Sequence, residues 1–145
     1  MAQGDVTFFQ EANAYLIDGG WEAADDIKCA VLDNTVAPTA ADATPALTDY
    51  TEVGAAGTYV AGGTSLGNLG TLVTQSGAVM TFDSATNPTW AQNASNDVDA
   101  YWGFVYHVTS GLGICFVDLG GPVDMTAGDL TITWNASGLY TITIS

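Results

Sequence analysis

The last third of the chain fixes the class of fold. Four runs rich in aromatic and β-branched residues follow one another, over residues 97–108, 112–119, 128–135 and 138–145, with Gly, Pro, Asn and Ser between them. The last two alternate. Leu130, Ile132 and Trp134 share one face and Thr131 and Thr133 the other, and then Tyr140, Ile142 and Ile144 oppose Thr141, Thr143 and Ser145. A period of two sets one face on a core and leaves the other to water or a partner.

Upstream, the same kind of element recurs in shorter pieces. Residues 5–20 read as one short helix, with Val6, Phe9, Asn13, Leu16 and Ile17 near one face, Asp5 as its cap and Gly19-Gly20 as its end. A strand over 6–9 is the competing reading. Residues 27–33 form a strand, and 34–44 a loop containing Pro38. Residues 47–53 are either a helical turn or an ordered loop. A short strand is expected at Tyr59-Val60, a polar and flexible stretch over 65–70, and a hairpin of 72–75 with 78–83 across Ser76-Gly77. Residues 87–91 add a brief strand. Eight or nine short strands, with turns every ~8–12 residues, predict a mainly β chain. The expected architecture is an antiparallel β-sandwich or partly closed barrel, forming a single domain over 1–145 with its helical segment at the N-terminus.

Charge narrows the function classes. Sixteen acidic residues face one base, Lys28, giving a formal charge of −15 in 145 residues. Nucleic-acid binding needs Lys and Arg on phosphates, and anionic membrane surfaces attract basic segments, so neither partner is expected. No apolar run approaches the ~20 residues that span a bilayer. Residues 1–5 carry no basic or apolar leader pattern, so no cleaved signal peptide is expected.

No coherent catalytic set stands out, and no enzyme activity or cofactor is expected. His107 is the only histidine, so any Ser-His-Asp device must use it; it lies in a regular strand without a nucleophile motif, which favours a structural role. Cys29 and Cys115 sit in apolar runs and read as buried free thiols, a disulfide requiring neighbouring strands. Asp97 and Asp99, with Asn93, Asn96 and the Asp25-Asp26 corner, are weak calcium candidates: they are hard oxygen donors, but their spacing matches no EF-hand loop. The tryptophans and tyrosines suit either a sugar-stacking platform or, because most fall on alternating strands, core packing.

The order of short motifs resembles a family of small virion proteins of tailed bacteriophages. These motifs are Ile27-Lys28-Cys29-Ala30-Val31-Leu32, Glu52-Val53, Gly57-Thr58-Tyr59-Val60-Ala61-Gly62-Gly63, Thr81-Phe82-Asp83 and Pro88-Thr89-Trp90. They continue with residues 100–106, Phe116-Val117-Asp118-Leu119-Gly120-Gly121 and Thr131-Ile132-Thr133-Trp134-Asn135-Ala136-Ser137-Gly138. The resemblance covers most of the chain. It implies a non-enzymatic capsid decoration, or cement, protein on the outside of the phage head, made in the host cytoplasm. The implied partner is the major capsid protein, and the implied self-association is a trimer. Phe8, Phe9, Tyr15 and Trp21 are the expected apolar anchors for partner contact. A tail or baseplate subunit is the alternative within this class, and a carbohydrate-binding or adhesin module the alternative outside it. The chain departs from the family in its single lysine.

Overall fold

The computed structural model describes residues 3–18, 20–84 and 86–143. It is mainly β, with antiparallel sheets stacked in a sandwich-like arrangement and no closed barrel. The strands are β1 (Val6–Phe8), β2 (Asp26–Leu32), β3 (Thr64–Asn68), β4 (Val73–Ser76), β5 (Val79–Phe82), β6 (Thr89–Trp90), β7 (Ala100–His107), β8 (Gly113–Val123), β9 (Leu130–Thr131) and β10 (Tyr140–Thr143). Two short helices, α1 (Ala12–Asp18) and α2 (Leu69–Leu72), and a 3-10 turn, Leu47–Asp49, complete the described elements.

The principal sheet has the order β1-β8-β7-β2-β3, and its centre is buried on both faces. Register assigns the two sides. Val6, Val117, Gly103 and Val31 lie across from one another on one face, and Thr7, Phe116, Phe104 and Ala30 on the other. The first face carries the second layer, made of the sheets β10-β5-β4 and β6-β9. Phe8 reaches into that layer, its ring 6.3 Å from Phe82 and 4.6 Å from Tyr140. Gly103 permits the close approach: a Cβ there would lie 2.5 Å from Ile132 Cδ1 and 2.7 Å from Val117 Cγ1. The second face is sealed by Phe9, Ala12 of α1 and Tyr50, which surround Phe104 and Phe116. Glu11 ties this N-terminal piece to the long loop by accepting the Thr44 N–H (2.6 Å), while Gln10 N–H donates to the Ala40 carbonyl.

Several expectations change. The helix expected over 5–20 divides: residues 6–8 pair with β8 as a strand, and only 12–18 are helical. Asp5 precedes β1 instead of capping the helix; Gly19 and the side chains of Leu16 and Ile17 lie outside the described residues. The β-branched and aromatic run Val6-Thr7-Phe8 prefers the pleated edge that β8 offers, and tertiary pairing overrides the local helical pattern. Residues 65–70 are ordered, as β3 and α2, with a register shift between Ile27 and Lys28 where β2 pairs β3. Tyr59-Val60 is not a strand, although Tyr59 is buried. The hairpin forms one residue later than expected, Val73–Ser76 with Val79–Phe82 across Gly77-Ala78 (φ +58 at Gly77). In the last two runs the burial of Leu130, Ile132 and Trp134 follows the alternation, but ladder pairing is short in β9; Ile144, Ser145 and the side chain of Ile142 lie outside the described residues.

Candidate functional site

The residues that carry the motif series build joints within the fold. Glu52, bridged to Leu32 across the edge of β2, accepts the Gly62 N–H on both carboxylate oxygens (3.0 and 2.8 Å). The Tyr59 hydroxyl meets the same carboxylate at 3.4 Å and accepts the Val31 N–H at 3.1 Å; burial pushes the phenol well above its ordinary pKa. Tyr106 donates its hydroxyl to the Gly62 carbonyl (2.8 Å). Gly63, at φ +69, lies so close to β2 that a Cβ would fall 1.9 Å from the Cys29 carbonyl oxygen. The Gly-Thr-Tyr-x-Ala-Gly-Gly segment is thus a strap fastened to β2 and β7 by one carboxylate and two phenols. Gly120 and Gly121, at φ +85 and +121, let β8 bend toward the chain start, where the Gln3 side chain covers Gly120 and donates to the Leu119 carbonyl (3.0 Å).

The loop of weak calcium candidates is a second joint. Asp97 accepts the N–H groups of Gly54 (2.8 Å), Val98 (2.7 Å) and Asp99 (3.1 Å), and these bonds, Gly54 foremost, hold its carboxyl below the ordinary carboxylate pKa. Asn96 is buried, accepting the Thr58 N–H and donating its amide to the carbonyls of Ala91 and Met125. Asn93 Oδ1 accepts the Ser95 N–H. The side-chain oxygens of Asp97, Asn96 and Asn93 are turned to N–H donors, and no group of three metal-ligating side chains occurs among the described residues.

His107 brings together residues that the sequence did not connect. Its Nδ1 accepts the Ser110 N–H (3.2 Å) and lies 2.8 Å from Ser110 Oγ. Its Nε2 lies 2.8 Å from Asp25 Oδ2 without the alignment of a hydrogen bond. Trp21 stacks on the ring at 5.0 Å, and Tyr15 lies 5.6 Å from Trp21. The Glu22 N–H, then His107, hold the Asp25 carboxyl below its ordinary pKa. Ser, His and Asp are therefore in contact, but the serine belongs to the histidine's own turn. Nδ1 is occupied by that turn's backbone, and Leu112 N–H donates to the serine oxygen (3.3 Å). The arrangement favours locking the β7–β8 turn onto the 22–25 corner over delivering a nucleophile. Spacing gave no hint of it, because Asp25 and His107 meet only through the β2–β7 pairing.

Of the four contact candidates, Phe9 is wholly buried and belongs to the core, which corrects its assignment as a surface anchor. Phe8, Tyr15 and Trp21 are half-buried. Trp90 and Trp134 are also interior, which removes two rings from any sugar-stacking platform. Cys29 and Cys115 are both free and both buried. Each lies opposite Val105, one on either side of β7, so two strand spacings of about 4.8 Å separate them. A disulfide needs Cα atoms within roughly 7 Å.

One groove of about 400 Å³ opens where β1 and β8 meet the segment from β9 to β10. Gln3, Asp5, Asp118, Thr131, Thr133 and Asn135 supply its polar lining, with Ile132, Trp134 and Leu139 among the apolar residues. The Trp134 indole N–H is shut from solvent and has no acceptor among the described residues. Nothing in the sequence marked this groove except the alternation of residues 130–134. No family model matches the chain, and no curated protein or solved structure matches it either.

Proposed function

We propose that the chain is a structural protein of a tailed-phage particle, a decoration protein that bridges neighbouring major capsid subunits on the outside of the head. What supports this reading is the resemblance of the ordered motif series to small virion proteins. The structure is compatible with it in a specific way: the motif residues act as straps and close-packing points of a β module, with no chemistry assigned to them. The acidic composition adds to the argument, because a surface with one base in the whole chain favours a basic docking surface and disfavours DNA.

The mechanism is additive. Many copies, each binding the assembled shell and not its dissociated parts, stabilise it by mass action, and a trimer multiplies weak contacts through avidity. Phe8, Tyr15 and Trp21 are the anchors that remain partly accessible for this contact. Stoichiometry in purified particles, by mass spectrometry against the major shell protein, tests the reading. About one copy per shell subunit supports decoration. A ratio of a few per cent assigns the chain to the tail or baseplate instead. Absence from particles overturns the virion reading. Light scattering of the isolated chain tests the trimer, and a monomer at all concentrations removes it.

A further inference from the structure

We propose that the free edge of β4 pairs with β4 of a second copy of this chain, antiparallel and about a two-fold axis, so that the sheet β10-β5-β4 continues into β4-β5-β10 of that copy. The contact is between the chain and itself, and so stands apart from the virion reading. Its first ground is hydrogen bonding. β4 ends its sheet, and no described strand lies beyond it. The Asp83 N–H donates to the Leu72 carbonyl (2.8 Å), and the two-residue turn Gly77-Ala78 closes Ser76 on Val79. Thr74 and Ser76 therefore turn their backbone groups to β5, and Val73 and Gln75 turn theirs outward. The Val73 N–H is taken by the Leu69 carbonyl. Gln75 keeps an outward N–H and an outward C=O, so two copies exchange both bonds where Gln75 meets Gln75. That sets the axis at Gln75 and lays Thr74 opposite Ser76 of the second copy, hydroxyl beside hydroxyl.

The second ground is the lack of protection. Proteins blunt exposed edges with a charge, a proline or a bulge. Thr74, Gln75 and Ser76 are exposed, β4 has no charge or proline, and its pairing with β5 runs without a register shift. The third ground is charge, and it names the occupant. Residues 53–82 hold no charged side chain, in a chain with 16 acids. Asp83 lies past the end of β5, and the acidic 22–25 corner meets α2 at Leu69 and Gly70, ahead of β4. A basic partner is drawn to the acidic surface and gains no ion pair at β4. A second copy brings the same −15, is repelled by that surface, and finds at β4 an edge that it can touch without pressing carboxylates together.

Sedimentation equilibrium of the full chain tests the pairing. The expected result is a reversible doubling of mass with concentration, from the 14.9 kDa monomer, or from the trimer if the three-fold contact forms as well. Gln75→Lys sets two ammonium groups against each other across the axis and returns the undoubled mass, although it removes one unit of negative charge. Val98→Lys makes the same charge change at an exposed position before β7 and leaves the affinity of doubling within about twofold. Raising sodium chloride from about 0.1 M to about 1 M strengthens the doubling, because the contact holds no ion pair and screening weakens the repulsion between copies. Gln75→Cys yields a disulfide-linked pair on mild oxidation and Thr74→Cys does not, since only residue 75 faces its own counterpart within the roughly 7 Å that a disulfide spans. Cys29 and Cys115 are buried and stay out of this reaction. No doubling in the parent chain, equal effects of the two lysines, doubling that weakens with salt, or crosslinking at 74 as readily as at 75 overturns the proposal. Particle stoichiometry is measured independently, so failure of the β4 pairing and failure of the virion reading are separate outcomes.

Discussion

Asp97 shows how a residue type that suggests ligand binding becomes a structural part. Its carboxylate accepts three backbone N–H groups, and the bond to Gly54 spans two loops. A carboxylate with a lowered folded-state pKa stabilises the fold above its unfolded value, near 3.9, and that contribution disappears as pH falls through the folded value. Asp97→Asn is therefore expected to cost about 1 kcal/mol at pH 7, the site being partly open to water. The gap between variant and parent in urea denaturation should narrow steadily as pH falls below the ordinary carboxylate range and through the lowered folded value; a gap that persists after Asp97 is protonated would assign the loss to packing. Residue types in this loop were legible, but their orientation was not, because Gly54 and Thr58 are distant in sequence. Glu52 gives the same lesson. It was visible as part of a motif, while its partner at Gly62 depends on Gly62 and Gly63 taking left-handed backbone against β2.

At the scale of elements, strands with clean alternation or dense β-branched content were legible, and joints between elements were not. β2 and β7 form where expected because Ile27 to Leu32 and Ala100 to His107 are apolar enough for a central position buried on both faces. β3 was missed because Gly67, at φ +120 beside the β2–β3 register shift, interrupts the pattern. The N-terminal segment failed as a helix because Phe8 and Phe9 serve opposite faces of the principal sheet, which only an extended backbone allows. This changes how that segment must be tested. Phe9→Ala is expected to destabilise the chain by about 3–5 kcal/mol, read from the denaturation midpoint, because the ring contacts Phe104 and Phe116 in a fully buried site. Removal of everything before Trp21 would strip β1 from the sheet as well as any surface anchor, so loss of particle binding by that truncation would not separate the two. Trp21→Ala, half-buried beside His107, is the cleaner probe of contact.

For the whole molecule, the dominant physical fact is a charge of −15 with a single base that makes no ion pair among the described residues. Repulsion among surface carboxylates opposes compaction and is screened by salt, the Debye length shrinking from about 10 Å at 0.1 M to about 3 Å at 1 M. Raising sodium chloride over that range is expected to raise Tm by roughly 3–8 °C, equivalent to about 1–2 kcal/mol at this chain length. Potassium chloride should act equally; an effect confined to one cation would show specific binding in place of screening. The charge and the sandwich-like class were both legible from composition and pattern, whereas the groove was not, since it arises where the first residues and the last strands meet. The positions of the two cysteines have a practical consequence of another kind. Cys29 and Cys115 flank Val105 in the centre of the principal sheet, and burial pushes the Cys29 thiol up to about 12 and Cys115 well above its usual range. Thiolate is the reactive form, so neither sulfur answers an aqueous thiol reagent while the sheet is closed. The protein carries its own clock for opening: a chromogenic disulfide should label both positions together, at the rate at which β7 parts from its neighbours, and labelling of one position alone would mean that the sheet opens from one side.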